Sequence, residues 1–165
     1  MSAANAMSAA PPLDESALRA AFGRFATGVT FVSTTVDGTP LGLIVSSFTA
    51  VSLEPPLVSF CPARDSLTWR RMRRSGAFTI RVLGPQHARF ARRAAEPGAD
   101  RFADSLGDAL AVIRCDLEAE HAAGDHSIVV GRVRHLEVCV DSPPLVYFAG
   151  AFGAFHPEEI PCPQT

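Results

Sequence analysis

The sequence contains no lysine, and all fifteen of its basic residues are arginine. That absence excludes a lysine Schiff base, a lysine general base and the lysine of a phosphate loop. G+C-rich coding accounts for it equally well, because arginine codons then replace lysine codons. An excess of charge of one sign is also missing. Fifteen basic against seventeen acidic residues give a net charge of -2, so no global positive field exists to hold nucleic acid or an anionic membrane surface. The four cysteines, Cys61, Cys115, Cys139 and Cys162, stand 54, 24 and 23 residues apart. No CxxC pair exists to bind zinc or run thiol exchange, and a reduced, cytoplasmic protein is the expectation. No apolar run approaches the roughly 18 residues of a membrane span, and residues 1–12 lack the basic start and apolar stretch of a signal peptide.

What is present is a chain of 165 residues with 47% hydrophobic and 19% charged residues, enough for one domain with a sizeable core. The expected organisation is a disordered tail over 1–12, a domain over 13–157 and a short tail over 158–165. Leu18, Ala21, Phe22 and Phe25 recur at helical spacing behind the capping residues Asp14 and Ser16, and Gly28 stops the run. Val29 to Val36, the turn Asp37-Gly38 and Pro40 to Val45 form a hairpin. Further strands are expected at Leu57 to Cys61, Phe78 to Leu83, Ala111 to Ala122, Ser127 to Val140 and Leu145 to Ala149. Helices are expected at Ser66 to Arg74 and Gln86 to Ala95. About seven strands, mostly joined by hairpins or short helices without a βαβ repeat, predict a mainly β fold. Its form is an antiparallel, Greek-key-like barrel with three or so peripheral helices.

GxGxxG, GxxxxGK[ST], HExxH and GxSxG do not occur. His121 and His126 lie near Glu118 and Glu120, but a strand-turn-strand context sends such side chains in different directions, so no metal site is assigned. Three polar segments at strand ends remain. In Gly42 to Thr49, hydroxyls and free backbone N–H groups suit a phosphate or a polar heterocycle, and an ordinary turn explains them as well. In Cys61 to Trp69, Arg64 and a helix capped by Ser66 suit an anion, and a plain cap is the alternative. In Gly124 to Val133, a tight turn carries His126 into a strand whose Gly131 permits close approach; the histidine serves a ligand or the fold. Arg70, Arg71, Arg73 and Arg74 read as a solvated helix face or a docking surface for an acidic partner.

In this order the segments resemble the flavin reductase-like family, the small split barrels that serve as reductase components of two-component flavin monooxygenases. The resemblance is carried by Phe22-Gly23-Arg24-Phe25-Ala26-Thr27-Gly28-Val29-Thr30 and by Ser47-Phe48-Thr49-Ala50-Val51-Ser52-Leu53-Glu54-Pro55-Pro56-Leu57-Val58. It continues through Gly124-Asp125-His126 with Gly131-Arg132-Val133 and closes at Pro144-Leu145-Val146-Tyr147-Phe148. The resemblance implies a homodimer of six-stranded split barrels with FMN or FAD near the dimer interface. It places flavin contacts on Leu43, Ile44, Val45, Ser46, Ser47 and Phe48, then Pro62, Ala63 and Arg64. Ser66, Thr68 and Trp69 follow, and then the Phe90-Ala91 pair. It sets the Asp125-His126 turn beside the nicotinamide of NADH or NADPH, with Phe152 as an aromatic wall. Two departures stand out, Ile44 where relatives often carry threonine and Arg81 where they often carry asparagine.

The implied activity is hydride transfer from NADH or NADPH to a flavin that then leaves for a separate monooxygenase. His126 is the residue nearest the chemistry. The rival readings are a split-barrel reductase of ferric chelates, a barrel that retains FMN and oxidises an amine, and a non-enzymatic flavin-binding or partner-binding barrel.

Overall fold

The computed structural model describes residues 13–96, 98–99, 101–102, 106 and 108–156, so both expected tails lie outside the described residues. Helix α1, Glu15–Phe22, starts where Asp14 Oδ1 accepts from the Ala17 amide at 2.7 Å and from Ser16 Oγ at 2.8 Å, which satisfies donors the first turn leaves open. It stops at Gly23, not Gly28, because the Gly23 carbonyl is taken by the Ala149 amide at 2.9 Å. Phe25 therefore lies beyond the helix. The helix buries no residue, and Phe22 and Phe25 are 71% and 78% exposed.

After the two-residue strand β1, Thr27–Gly28, the expected hairpin forms from β2, Thr30–Val36, and β3, Thr39–Val45. Asp37 and Gly38 have φ of 51° and 74°, the left-handed pair that matches strand twist in a two-residue turn. A second hairpin joins β4, Thr49–Leu53, which is not among the strands expected from the sequence, to β5, Pro56–Phe60. Helix α2, Leu67–Met72, is capped by Ser66 and is followed by β6, Ala77–Val82, and helix α3, Ala88–Ala95. The long strands β7, Ala111–Ala123, and β8, His126–Val138, pair around Gly124-Asp125, and β9, Leu145–Phe148, and β10, Ala151–Ala154, close the described chain. No helix among the described residues is long and apolar enough to cross a membrane.

Where the resemblance implies six strands, seven form one antiparallel sheet ordered β3-β2-β6-β7-β8-β5-β4, and β1, β9 and β10 form a smaller one. The large sheet curls on itself, because Val45 of β3 and Phe60 of β5 meet Val32, Phe78, Ile80, Cys115 and Val129 in one core. Trp69 and Met72 of α2 plug that core. The edge strands β3 and β4 are joined by only Ser46, Ser47 and Phe48 and are not paired, which leaves a seam in the wall. Gly131 owes its identity to a ring: a Cβ there would stand 2.6 Å from Phe78 Cζ and 3.1 Å from Cys115 Cβ. Burial, with the charge of Asp116, pushes the Cys115 thiol up to about 12, so it behaves as a small apolar side chain.

Glu120 of β7 ties α2 to the sheet, accepting from Trp69 Nε1 at 3.1 Å and from Arg73 Nη1 at 3.3 Å. Burial pushes its carboxyl up, but the hydrogen bonds from Trp69, Ser127 and Arg73 outweigh burial and hold it below the ordinary 4.5. A carboxylate depressed in the folded state stabilises the fold above the ordinary value, and that contribution is lost as pH falls through the lowered folded one. Glu120→Gln is therefore expected to melt below the parent at neutral pH and to converge with it on acidification. Thermal melts across that range check this, and a gap independent of pH would refute it.

Candidate functional site

Ten of the seventeen residues the resemblance assigns line one cavity of about 980 Å³: Leu43, Ile44, Val45, Ser46, Ser47, Pro62, Ala63, Ser66, Asp125 and His126. Its floor is the end of β3, its flank the stretch from Cys61 to Ser66, and its far wall the turn between β7 and β8. A second cavity of about 560 Å³ shares Ser46 and Ser47 with it and adds Phe48. The site thus lies along the seam. Because β3 is an edge strand, the backbone groups on its free side have no strand partner and are open to a ligand.

Hydrogen bonds hold the walls together. The Ser47 hydroxyl accepts from the Cys61 amide at 2.8 Å, which clips the β3–β4 link to the end of β5. The Ser127 amide donates to the Pro62 carbonyl at 3.0 Å and the Arg64 amide to the Asp125 carbonyl at 2.9 Å, while Arg64 Nη1 donates to the Gly124 carbonyl at 3.2 Å. The Asp125-His126 turn is thereby fixed against the Pro62–Arg64 stretch. His126 Nδ1 lies 2.9 Å from Asp125 Oδ1, and this bond holds the Asp125 carboxyl below its usual range. An ionised Asp125 accepts the Nδ1 proton and leaves Nε2 for a ligand.

Six assigned residues, Arg64, Thr68, Trp69, Phe90, Ala91 and Phe152, line neither cavity, and Ser66, which does, is already engaged. Arg64 is exposed and its guanidinium is turned toward Gly124. Ser66 Oγ accepts from the Trp69 amide at 3.2 Å, so it is occupied as a cap. The Trp69 ring is 2% exposed in the core, edge-on to Phe60 with centroids 5.3 Å apart, and Thr68 precedes it on α2. Phe90 and Ala91 are buried with Phe31 and Leu83 in a second cluster, against which Phe152 packs. Within one chain these six positions support the walls or lie apart from them.

The sequence reading missed the contribution of α1 and the residues after it: Glu15, Leu18, Arg19 and Phe22 of the helix line the larger cavity, and Phe25 and Thr27 beyond it line the smaller. The signal is the stripe of Leu18, Phe22 and Phe25 itself, which marks the helix and also lines the cavities. Thr27 carries a further observation, since its Oγ1 is buried without a hydrogen-bond partner. An orphaned hydroxyl beside Ser46 and Ser47 is what a site for a polar planar ligand leaves when described without it. Apolar walls, free backbone groups, hydroxyls and one oriented histidine suit a flat heterocycle and fit a flavin. No cluster of three metal-ligating side chains occurs among the described residues.

Comparison with known proteins identifies the family. Residues 22–156 match the model of the flavin reductase like domain. The chain is 37% identical to the reductase subunit of a flavin-dependent monooxygenase from Rhodococcus jostii, over 94% of this chain and 86% of that one. It superposes with a TM-score of 0.85 on a homologue of nitrilotriacetate monooxygenase component B from Mycobacterium thermoresistibile, 31% identical over 92% of each chain. It also superposes with a TM-score of 0.83 on an NADH:FAD oxidoreductase from Streptomyces globisporus in complex with NAD and FAD fragments. That protein is 30% identical, over 89% of this chain and 96% of its own.

Proposed function

The chain belongs to the flavin reductase-like family, and on that premise we propose that it is an NAD(P)H:flavin oxidoreductase supplying reduced flavin to a partner monooxygenase. The observation that carries this reading is the pair of adjoining cavities along the seam, the larger lined by the unpaired end of β3 and the Asp125-oriented His126, the smaller by Thr27, the two sharing Ser46 and Ser47. A flavin bound there, FMN or FAD, supplies the acceptor for a hydride, two electrons and one proton, from C4 of NADH or NADPH. The protein's task is to hold two rings with reacting atoms roughly 3–3.5 Å apart and to keep water out.

The edge of β3 at Leu43, Ile44 and Val45 offers the ring backbone groups, and Ser46 and Ser47 supply hydrogen bonds to its polar edge and side chain. His126, held by Asp125, orients the nicotinamide carboxamide. Nothing in this scheme asks a side chain to act as nucleophile.

A homodimer completes the site. Phe22, Phe25, Val51 and Leu53 are all exposed by half or more and line α1 and the β4 edge, and such apolar surface is what a second copy covers. Phe25→Glu is expected to give a monomer in sedimentation, with weakened flavin binding; a variant that stays dimeric would remove this face from the interface.

The activity is tested by following NADH and NADPH absorbance with purified protein, with and without FMN, FAD or riboflavin. Oxidation that depends on added flavin is the expected result and ranks flavins and nicotinamides together. No oxidation with any combination would overturn the assignment.

A further inference from the structure

Helix α1 turns one face to the larger seam cavity. Glu15, Leu18, Arg19 and Phe22 line it, and their spacing of i, i+3, i+4 and i+7 puts all four on a single stripe of the helix. The Glu15 and Arg19 side chains stay exposed, so they form part of the cavity's rim. Among the described residues Arg19 is the only arginine that lines either seam cavity, and two carboxylates, Glu15 and Asp125, line the larger one.

That guanidinium is already engaged. Its Nε and Nη2 donate to Glu15 Oε1 at 2.9 and 2.6 Å, and a glutamate one turn before its cation is the favourable order for such a pair on a helix. The Asp125 carboxyl is held low chiefly by its hydrogen bond with His126, and the Arg19 charge contributes. The helix and the Asp125-His126 turn therefore lie within reach of one another's field.

NADPH differs from NADH by one phosphate on the adenosine ribose, a group of about −1.5 to −2 charge at neutral pH. Dinucleotide sites sort the two donors by what meets that position: a carboxylate favours the ribose hydroxyl, whereas an arginine accepts the phosphate. We propose that Glu15 sets the choice of hydride donor toward NADH. With the nicotinamide at His126 and the flavin along β3, the rest of the dinucleotide passes over the α1 face, where Glu15 repels the 2'-phosphate of NADPH and withholds Arg19 from it. This inference rests on the oxidoreductase reading.

Initial rates with NADH and with NADPH at saturating FMN or FAD test it. The readout is the ratio of kcat/KM for the two donors on the same enzyme, which cancels any loss of folded protein. The parent is expected to prefer NADH by about tenfold or more. Glu15→Gln removes a negative charge and releases Arg19, and should lower that preference about tenfold. Glu15→Asp keeps the charge and should keep most of the preference, and Arg19→Gln should leave it in place or raise it. A parent that uses both donors equally, or a ratio unmoved by Glu15→Gln, would overturn the proposal and leave hydride transfer to flavin standing. Glu15→Asp as permissive as Glu15→Gln, or Arg19→Gln turning the enzyme toward NADPH, would do the same. No oxidation of either donor would overturn both.

Discussion

Trp69→Ala is expected to cost about 3–5 kcal/mol of folding stability, the largest effect of any single truncation considered. The indole is 2% exposed and packs edge-on against Phe60 and Phe78 in the barrel core. Its removal leaves a cavity that the surrounding strands cannot collapse to fill. It also strips Glu120 of a donor, and a half-buried carboxylate without its partner adds to the loss. Urea denaturation checks this. Trp69→Phe keeps most of the volume and separates the two roles the residue has been given. If Trp69 is core, the variant loses stability and keeps its flavin affinity. A variant that keeps its stability and loses flavin would return the residue to the ligand.

His126→Ala is expected to raise KM for the nicotinamide roughly 10- to 100-fold, the worth of one hydrogen bond involving a polarised or charged group. Flavin affinity should change little, because the ring's bed is β3 and its link to β4, not the turn. Asp125→Asn should give a smaller shift in the same direction, since the imidazole remains but loses the carboxylate that orients it. Steady-state kinetics against NADH at saturating flavin, set beside a flavin titration, distinguishes these outcomes. Equal losses in both measurements would mean that the turn supports the whole site and not the nicotinamide alone.

The parts of the fold that were legible in the sequence are those set by local chemistry. Asp37-Gly38 dictated its hairpin because a left-handed pair of residues is costly for most others, and Asp14 and Ser66 each announced a helix start through the amide their side chains accept from. The segments Leu43 to Phe48, Pro62-Ala63 and Asp125-His126, scattered over more than eighty residues, do converge on adjoining cavities. What stayed illegible depends on contacts distant in sequence. The β4 segment, Thr-Ala-Val-Ser-Leu, is short and became a strand because β5 offers an edge. Phe22 and Phe25 look like core by periodicity, and no single-chain pattern distinguishes a stripe that faces the core from one that faces outward. Trp69 resembles a ligand contact by position, and its ring turned inward because α2 plugs the barrel.

The clip between Ser47 and Cys61 bears on how the barrel releases what it binds. The long β7–β8 ladder runs through the middle of the sheet, whereas the seam is spanned by three residues and that one short side-chain bond. Amide hydrogen exchange in such a molecule separates into two regimes, slow across the central ladder and fast around residues 46–48 and α1. Opening the seam then needs no disruption of the core. A carrier that must let go of its product within each cycle, yet stay folded for the next, has its compliance confined to the place where the product leaves.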